Sequence, residues 1–400
     1  MTEIERARQA LLDVEVNPGT EEIAVEEAWG RVLAERVTAG HDVPSFRRSV
    51  YDGYAVRRED IRAASEKAPV TLTVTETVGA GSAARYPVTA GRAARIMTGA
   101  MVPDGADAVV KHEDTRFTDR EVRFFAPAGR GNLVEPGEDV KAGTCLLEPG
   151  KVMGAADAAM LAGQGRERVR VFRRPGAGLV STGSELVRPG QTPGLGKIYD
   201  TNPLLLGGYL RRYGVVPKDF GIVPDQMDAL EERIEEALSC SDMVITTGGV
   251  SVGDFDYIPQ VMERIGARVL FHRLPFKPGG AMLAAVKNGR LILGLSGNPG
   301  AAAVGMLYVG LPFIRKLCGR SEVGTKEGEA ILKESFDKPG ERLRILRGTA
   351  RIEEGRLVFE QVRNQRNGAV SSMLDCDLLG EIPAGSPGLL KGERIKVYFV

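Results

Sequence analysis

The stretch MVITTGGVSVGDFDYIPQVM, residues 243–262, runs from an apolar segment through two threonines into a glycine-rich turn. Two aspartates, Asp254 and Asp256, follow, and then an amphipathic segment. This reads as strand, loop and helix. The same alternation surrounds it. GAGLVSTGSE predicts a strand and loop, NPLLLGGYLRRYG a helix, and PKDFGIV a strand. PDQMDALEERIEEALS predicts a helix with Met227, Leu230, Ile234 and Leu238 on one stripe. RLILGLSGNPGAAAVGMLYVGLPFIRKL closes the series as strand, loop and helix. Such alternation argues for a parallel sheet covered on both faces. Ligands of such sheets bind beyond the carboxyl ends of the strands.

Three of those strand ends share one design. They carry Gly183, Ser184 and Glu185; Gly248 and Gly249 with Asp254 and Asp256; and Ser296, Gly297 and Asn298. Glycine lets backbone N–H groups approach an anion with no Cβ in the way. Hydroxyls add donors, and the following helix contributes its positive end. Carboxylates beside an anion repel it unless a cation mediates. Glu185, Asp225, Asp254 and Asp256 therefore suggest Mg²⁺ bridging protein and phosphate oxygens. The alternative is plainer: the glycines make turns and the aspartates cap helices.

Outside this region the pattern changes. Thr2 and Glu5 have capping-box spacing, and Ile4, Ala7, Leu11 and Leu12 share a face, so the chain is expected to open with a helix. A second helix is expected around residues 20–35, carrying Trp29. Residues 45–150 hold short β-like runs between Gly and Pro turns, and VMGAADAAMLAGQG predicts a helix. Residues 325–400 return to short β runs that suit a small barrel or sandwich.

The bulk numbers limit the rest. At 400 residues the chain exceeds one core, and two to four domains are expected. Fifty-three basic and fifty-three acidic residues cancel, which argues against nucleic acid or an anionic membrane as partner. Cys145, Cys240, Cys318 and Cys376 are scattered, arguing against a disulfide framework or zinc site, and buried positions are expected for most. The amphipathic start does not read as a signal peptide, no apolar run reads as membrane-spanning, and the cytoplasm is expected. His41, His112 and His272 lack metal-ligand spacing. There is no nucleophile elbow and no Walker-A lysine, which disfavours those hydrolytic and phosphoryl-transfer chemistries.

RLPFKPGGAM supplies positive charge through Arg273 and Lys277, either for an anion or as solvated loop residues. Asp52 precedes Gly53 in FRRSVYDGYAV, and an Asp-Gly turn explains it locally. IMTGAMVPDGADAVV reads as strand, turn and strand, and nothing local promotes Thr98.

Eight ordered motifs resemble the molybdopterin molybdenumtransferase family, which includes MoeA and the gephyrin E domain. They are SVYDGYAV, RIMTGAMVPDGADAVV, GEDVKAGT, STGSEL, YDTNPLLL, TTGGVSVGDFDY, KPGG and GLSGNP. The resemblance implies a multidomain α/β plus β protein. Its parts would be a linker domain (1–45 and 140–175), an inserted β-rich domain (46–139), a three-layer α/β molybdopterin-binding domain (176–322) and a small C-terminal β-barrel (323–400). It implies a homodimer with the site shared between subunits. It also implies insertion of molybdate into adenylylated molybdopterin with release of AMP. Molybdopterin adenylyltransferase and apo-molybdoenzymes would be the protein partners.

Site residues carried over by the resemblance are Asp52, Thr98, Glu185, Asp225, Asp256, Lys277 and Arg273 for catalysis, with Glu185 and Asp256 on Mg²⁺. Substrate would meet Thr182, Gly183, Ser184, Thr247, Gly248, Gly249, Ser251 and Gly253. It would also meet Pro278, Gly279, Ser296, Gly297 and Asn298, and in the last domain Arg347 and Ser371. Three positions depart from the commoner pattern. Arg273 stands where lysine is frequent, Gly280 replaces the second lysine of KPGKP, and Ser296 replaces proline in GLPGNP. The alternatives are a tungstate-preferring paralogue, a non-catalytic molybdopterin-binding scaffold, and the adenylylating partner reaction, which the extra terminal domains disfavour.

Overall fold

A computed structural model describes residues 1–129, 132–250 and 257–400. Ser251, Gly253, Asp254 and Asp256 therefore lie outside the described residues. The chain divides into two compact units. One comprises residues 1–35, 149–154 and 168–400, and the other residues 36–148 and 155–167.

The first unit is built on a six-stranded sheet. Its strand order is Val216–Val223, Gly176–Thr182, Met243–Thr247, Arg290–Leu295, Leu283–Lys287 and Arg268–His272. The first four strands are parallel, so their carboxyl ends lie on one edge. The last two pair antiparallel, which makes the sheet mixed rather than wholly parallel. The tight Asn288–Gly289 turn allows this, because both residues hold positive φ. Helices Asn202–Arg212, Met227–Cys240 and Ile258–Arg264 form as the sequence predicts. Separate apolar clusters cover the two faces of the sheet.

One core cluster joins three parts of the unit. It contains Ile4, Ala7 and Leu11 of the first helix, Glu3–Leu12. It also contains Leu307, Tyr308 and Phe313, and Ile345, Leu379 and Tyr398 of the C-terminal sheet. At its centre a continuous helical segment runs over Pro299–Leu317, with a π-helical stretch at Met306–Gly310. Its length and composition would suffice to cross a membrane, but 89% of it is buried inside the protein. It is a core helix. Polar ties reinforce the packing. Arg8 donates to Tyr308 O from Nε at 2.9 Å, and the Tyr308 and Tyr398 hydroxyls meet Glu381 Oε2 at 3.2 and 2.6 Å.

The C-terminal strands Leu343–Glu353, Arg356–Gln361, Glu327–Leu332, Arg394–Phe399 and Leu378–Ile382 close into a five-stranded barrel. The second unit carries a six-stranded mixed sheet. Strands Gly53–Val56 and Arg92–Ile96 lie near its middle, between Ala108–Lys111 and Val70–Val78.

The capping box at Thr2 and Glu5 is present in both directions. The helix expected at 20–35 is not. Thr20–Ala24 is a strand paired with Arg168–Phe172, a short 3₁₀ turn follows at Val25–Glu27, and Trp29 is exposed. A partner almost 150 residues away overrides the local helical preference. Cys318 and Cys376 are buried but Cys145 and Cys240 are exposed, and all four are free thiols.

Two glycines test the packing in opposite directions. Gly208 lies in the Asn202–Arg212 helix with open space where a Cβ would stand. Gly208→Ala is expected to stabilise by about 0.5–1 kcal/mol. Gly279 has φ +97°, and a Cβ there would lie 2.8 Å from Ala301 O and Gly305 N. Gly279→Ala is expected to destabilise by at least about 1–3 kcal/mol. Urea midpoints of the two variants read both effects, and equal shifts would contradict the close approach at Gly279.

Candidate functional site

The three glycine-bearing strand ends are adjacent in the sheet, as their parallel pairing requires. A Cβ on Gly248, at φ +96°, would meet Thr182 O and Oγ1 at 2.5 Å. Gly248 also donates its N–H to Leu295 O at 3.0 Å, and a Cβ on Gly297 would lie 3.5 Å from Gly248 Cα. The loops therefore touch through bare backbone. Thr182 and Thr247 are buried, and Thr182 Oγ1 has no hydrogen-bond partner among the described residues.

The acids divide by role. Asp225 is tied down: it accepts from Ser184 N at 3.0 Å and Ser184 Oγ at 3.2 Å. Glu185 folds back over Gly183, where a Cβ would lie 2.5 Å from Glu185 Oε2. Its carboxylate makes no hydrogen bond or ion pair among the described residues. No group of three or more His, Cys, Asp or Glu able to hold a metal exists among those residues.

Sequence reasoning missed two buried polar residues here. Asp200 and Asn202 belong to the quoted YDTNPLLL motif, which carried the signal without a role. Asn202 Nδ2 donates to Gly297 O at 2.9 Å, tying the motif to the third strand end. Burial pushes the Asp200 carboxyl above its usual range, opposed by hydrogen bonds from Ser181 and the Asn202 N–H.

The cations gather in a cleft of this unit. Lys277 and Pro278 line a cleft of about 710 Å³ with Lys338, Arg344, Arg363 and Arg366, against the acids Glu334 and Asp337. Gly279 presses this loop onto the Pro299–Leu317 helix. Gly280 cannot carry a side chain in this backbone, because a Cβ would stand 2.3 Å from Leu274 O and Phe276 O. The absence of a second lysine there is built into the loop. Arg273 holds φ 66° and donates its N–H to Met282 O at 2.8 Å.

Arg347 is a buried charge. It is fully buried, and its Nε donates to Gln365 Oε1 at 3.1 Å. Nη1 and Nη2 have no partner among the described residues. A Cβ on Gly300, at the start of the Pro299–Leu317 helix, would lie 3.2 Å from Arg347 Nη1 and from Ser372 Oγ. Burial pushes the guanidinium down to about 10. Ser372 is the buried serine beside it and donates to Ala369 O, whereas the expected Ser371 is exposed. Ser296 Oγ accepts from Asn298 N at 3.3 Å.

Asp52 and Thr98 belong to the second unit, and the sheet brings them together. Gly53 is not a turn residue. It begins a strand opposite both Ile96 and Lys111, and a Cβ there would lie 2.0 Å from Val110 O. That register sets Asp52 beside Thr98, whose N–H and hydroxyl both donate to Asp52 Oδ1 at 2.7 Å. These two bonds hold the Asp52 carboxyl below its usual range.

Comparison with known proteins now bears on this arrangement. Residues 2–165 match the MoeA N-terminal region (domain I and II), and residues 329–400 the MoeA C-terminal region (domain IV). Residues 178–316 match a domain described as "Probable molybdopterin binding domain". The chain belongs to the MoeA family. A molybdopterin molybdenumtransferase of Bacillus subtilis is 36% identical over 95% of the chain and 90% of that protein. One from Staphylococcus epidermidis is 34% identical over 94% and 90%. A crystal structure of a molybdopterin biosynthesis MoeA protein from Pyrococcus horikoshii superposes with a TM-score of 0.86 at 32% identity, over 99% of this chain and 98% of that one.

The Asp52–Thr98 pair gives a pH prediction. Its folded pKa lies below the unfolded value, so the stability it contributes is full above the ordinary Asp pKa. That contribution is lost as pH falls through the lowered one. In Thr98→Val the carboxyl is expected to titrate closer to an ordinary Asp, since the hydroxyl bond is gone and only the N–H remains. NMR titration of the Asp52 carboxyl checks this, and an unmoved midpoint would count against the bond.

Proposed function

We propose that this MoeA-family protein is a molybdopterin molybdenumtransferase that inserts molybdate into adenylylated molybdopterin and releases AMP. The observation that carries the reading is Arg347. A buried guanidinium with two unpartnered nitrogens, set against a helix N-terminus, calls for an anion. Lys277 at the neighbouring cleft adds charge, and the three glycine loops offer backbone N–H groups for phosphate. The family membership supports the same chemistry.

In this reading Arg347 and Lys277 hold the oxyanion, with Arg273 and the Ser371–Ser372 turn nearby. Thr182, Gly183, Ser184, Thr247, Gly248, Gly249, Gly297 and Asn298 cradle the phosphates, joined by Ser251 and Gly253. Pro278 and Gly279 fix the Lys277 turn, and Ser296 supports Asn298. Asp225 orients Ser184 toward the nucleotide. Glu185, with a free carboxylate beside bare backbone, suits an outer ligand for Mg²⁺, joined by Asp256. Bound there, Mg²⁺ would offset phosphate charge as the pyrophosphate bond breaks. Asp52 and Thr98 would complete the site from a second subunit of a homodimer. The four-part division into 1–45 with 140–175, 46–139, 176–322 and 323–400, and a cytoplasmic location, belong to the same proposal. So do molybdopterin adenylyltransferase and apo-molybdoenzymes as protein partners.

Purified protein incubated with adenylylated molybdopterin, Mg²⁺ and molybdate is expected to release AMP and mature cofactor together. Lys277→Ala is expected to raise the half-saturating molybdate concentration by about tenfold or more, the loss of one charge-assisted contact. AMP release that never depends on molybdate would overturn the proposed activity. An unchanged molybdate requirement in the variant would remove Lys277 from the oxyanion site.

A further inference from the structure

The loop after strand Arg356–Gln361 combines a fixed backbone with uncommitted cations. Val362 N donates to Arg347 O at 3.0 Å. Gln365 Nε2 donates to Arg347 O at 2.6 Å and to Val362 O at 3.1 Å. Further on, Ala301 N donates to Asn367 O at 3.1 Å, clamping the loop to the start of the core helix. Between these anchors Arg363 and Arg366 are exposed and line the cleft that holds Lys277. Neither guanidinium makes a hydrogen bond, ion pair or ring contact among the described residues.

Some barrel cations are committed to neighbours. Lys333, Arg351, Arg394 and Lys396 each pair with a glutamate. Arg344, in the same cleft, lies 5.0 Å over the Phe336 ring. Arg363 and Arg366 instead sit with Lys277 and Lys338 in a cleft whose acids, among the described residues, are Glu334 and Asp337. Like charges gathered on a rigid loop repel one another unless an anion joins them. Gly280 cannot supply a cation from the opposite loop, because its backbone leaves no room for a side chain.

We infer that Arg363 and Arg366 are specificity-determining residues that capture a tetrahedral oxyanion group in the cleft they share with Lys277. Guanidinium forks suit this geometry, presenting paired donors to paired oxygens. The inference rests on the proposed function, which brings two such groups to the site: the free metal oxyanion and the substrate diphosphate.

Isothermal titration of the intact protein with sodium molybdate, and separately with inorganic pyrophosphate, tests it without turnover. The R363A/R366A variant is expected to bind at least one probe about tenfold or more weakly, with a shallower salt dependence and an unchanged urea midpoint. R363K/R366K is expected to recover part of the loss. R356A, which removes an exposed barrel arginine outside the cleft, is expected to bind as wild type. A loss confined to molybdate identifies the free oxyanion as the captured group, and a loss confined to pyrophosphate identifies the diphosphate. Wild-type affinity in R363A/R366A for both probes overturns the inference alone. Wild-type protein that binds neither probe overturns the oxyanion reading of the cleft as well.

Discussion

The Pro299–Leu317 helix constrains everything around it, because it has almost no exposed face. Each of its sides is another element's core. The first helix, one face of the α/β sheet and the C-terminal barrel all bury apolar residues against it. A helix so enclosed has one permitted position to within a side chain. Its amino end is therefore fixed too, and there Gly300 admits Arg347 and Gly279 admits the Lys277 loop. The polar site is a by-product of apolar packing: charges from the barrel and the α/β part meet because both lean on one helix.

The glycines make this possible by what they omit. At positions 248, 279, 280 and 300 a Cβ would stand within 3 Å of backbone or nearly so. Backbone approaches backbone directly, which brings N–H groups, a few hydroxyls and carboxylates and long cationic side chains into reach. That suits an anion with many oxygens, and it leaves no room for the nucleophile-and-base pairs of hydrolytic sites.

Legibility from sequence followed the range of the interaction. The capping box at Thr2 and Glu5, the Leu230–Ile234–Leu238 stripe and the strand-helix alternation are set by residues a few positions apart, and all form as read. Thr20–Ala24 forms a strand rather than the expected helix because its partner, Arg168–Phe172, lies far along the chain. Asp52 and Thr98 had no local claim to each other. Their contact exists because a one-residue register places Gly53 opposite Ile96, and only the resemblance to a family pointed there beforehand.

Arg347 marks the limit of sequence reading most clearly. In LRILRGTARIE it lies four residues before Arg351, on the same strand face by period two, and nothing local separates the two. Arg351 reaches Glu360 in solvent, and Arg344 covers an aromatic ring. Arg347 points into the seam with the core helix and loses water on every side. The desolvation of a lone guanidinium costs several kcal/mol unless it is compensated, and one neutral glutamine does not compensate it. A fold that retains such a residue holds an uncompensated charge that an anion would relieve. The strained charge and the candidate chemistry are thus one feature; the family resemblance named the residue, and its isolation shows only once the barrel has closed against the helix.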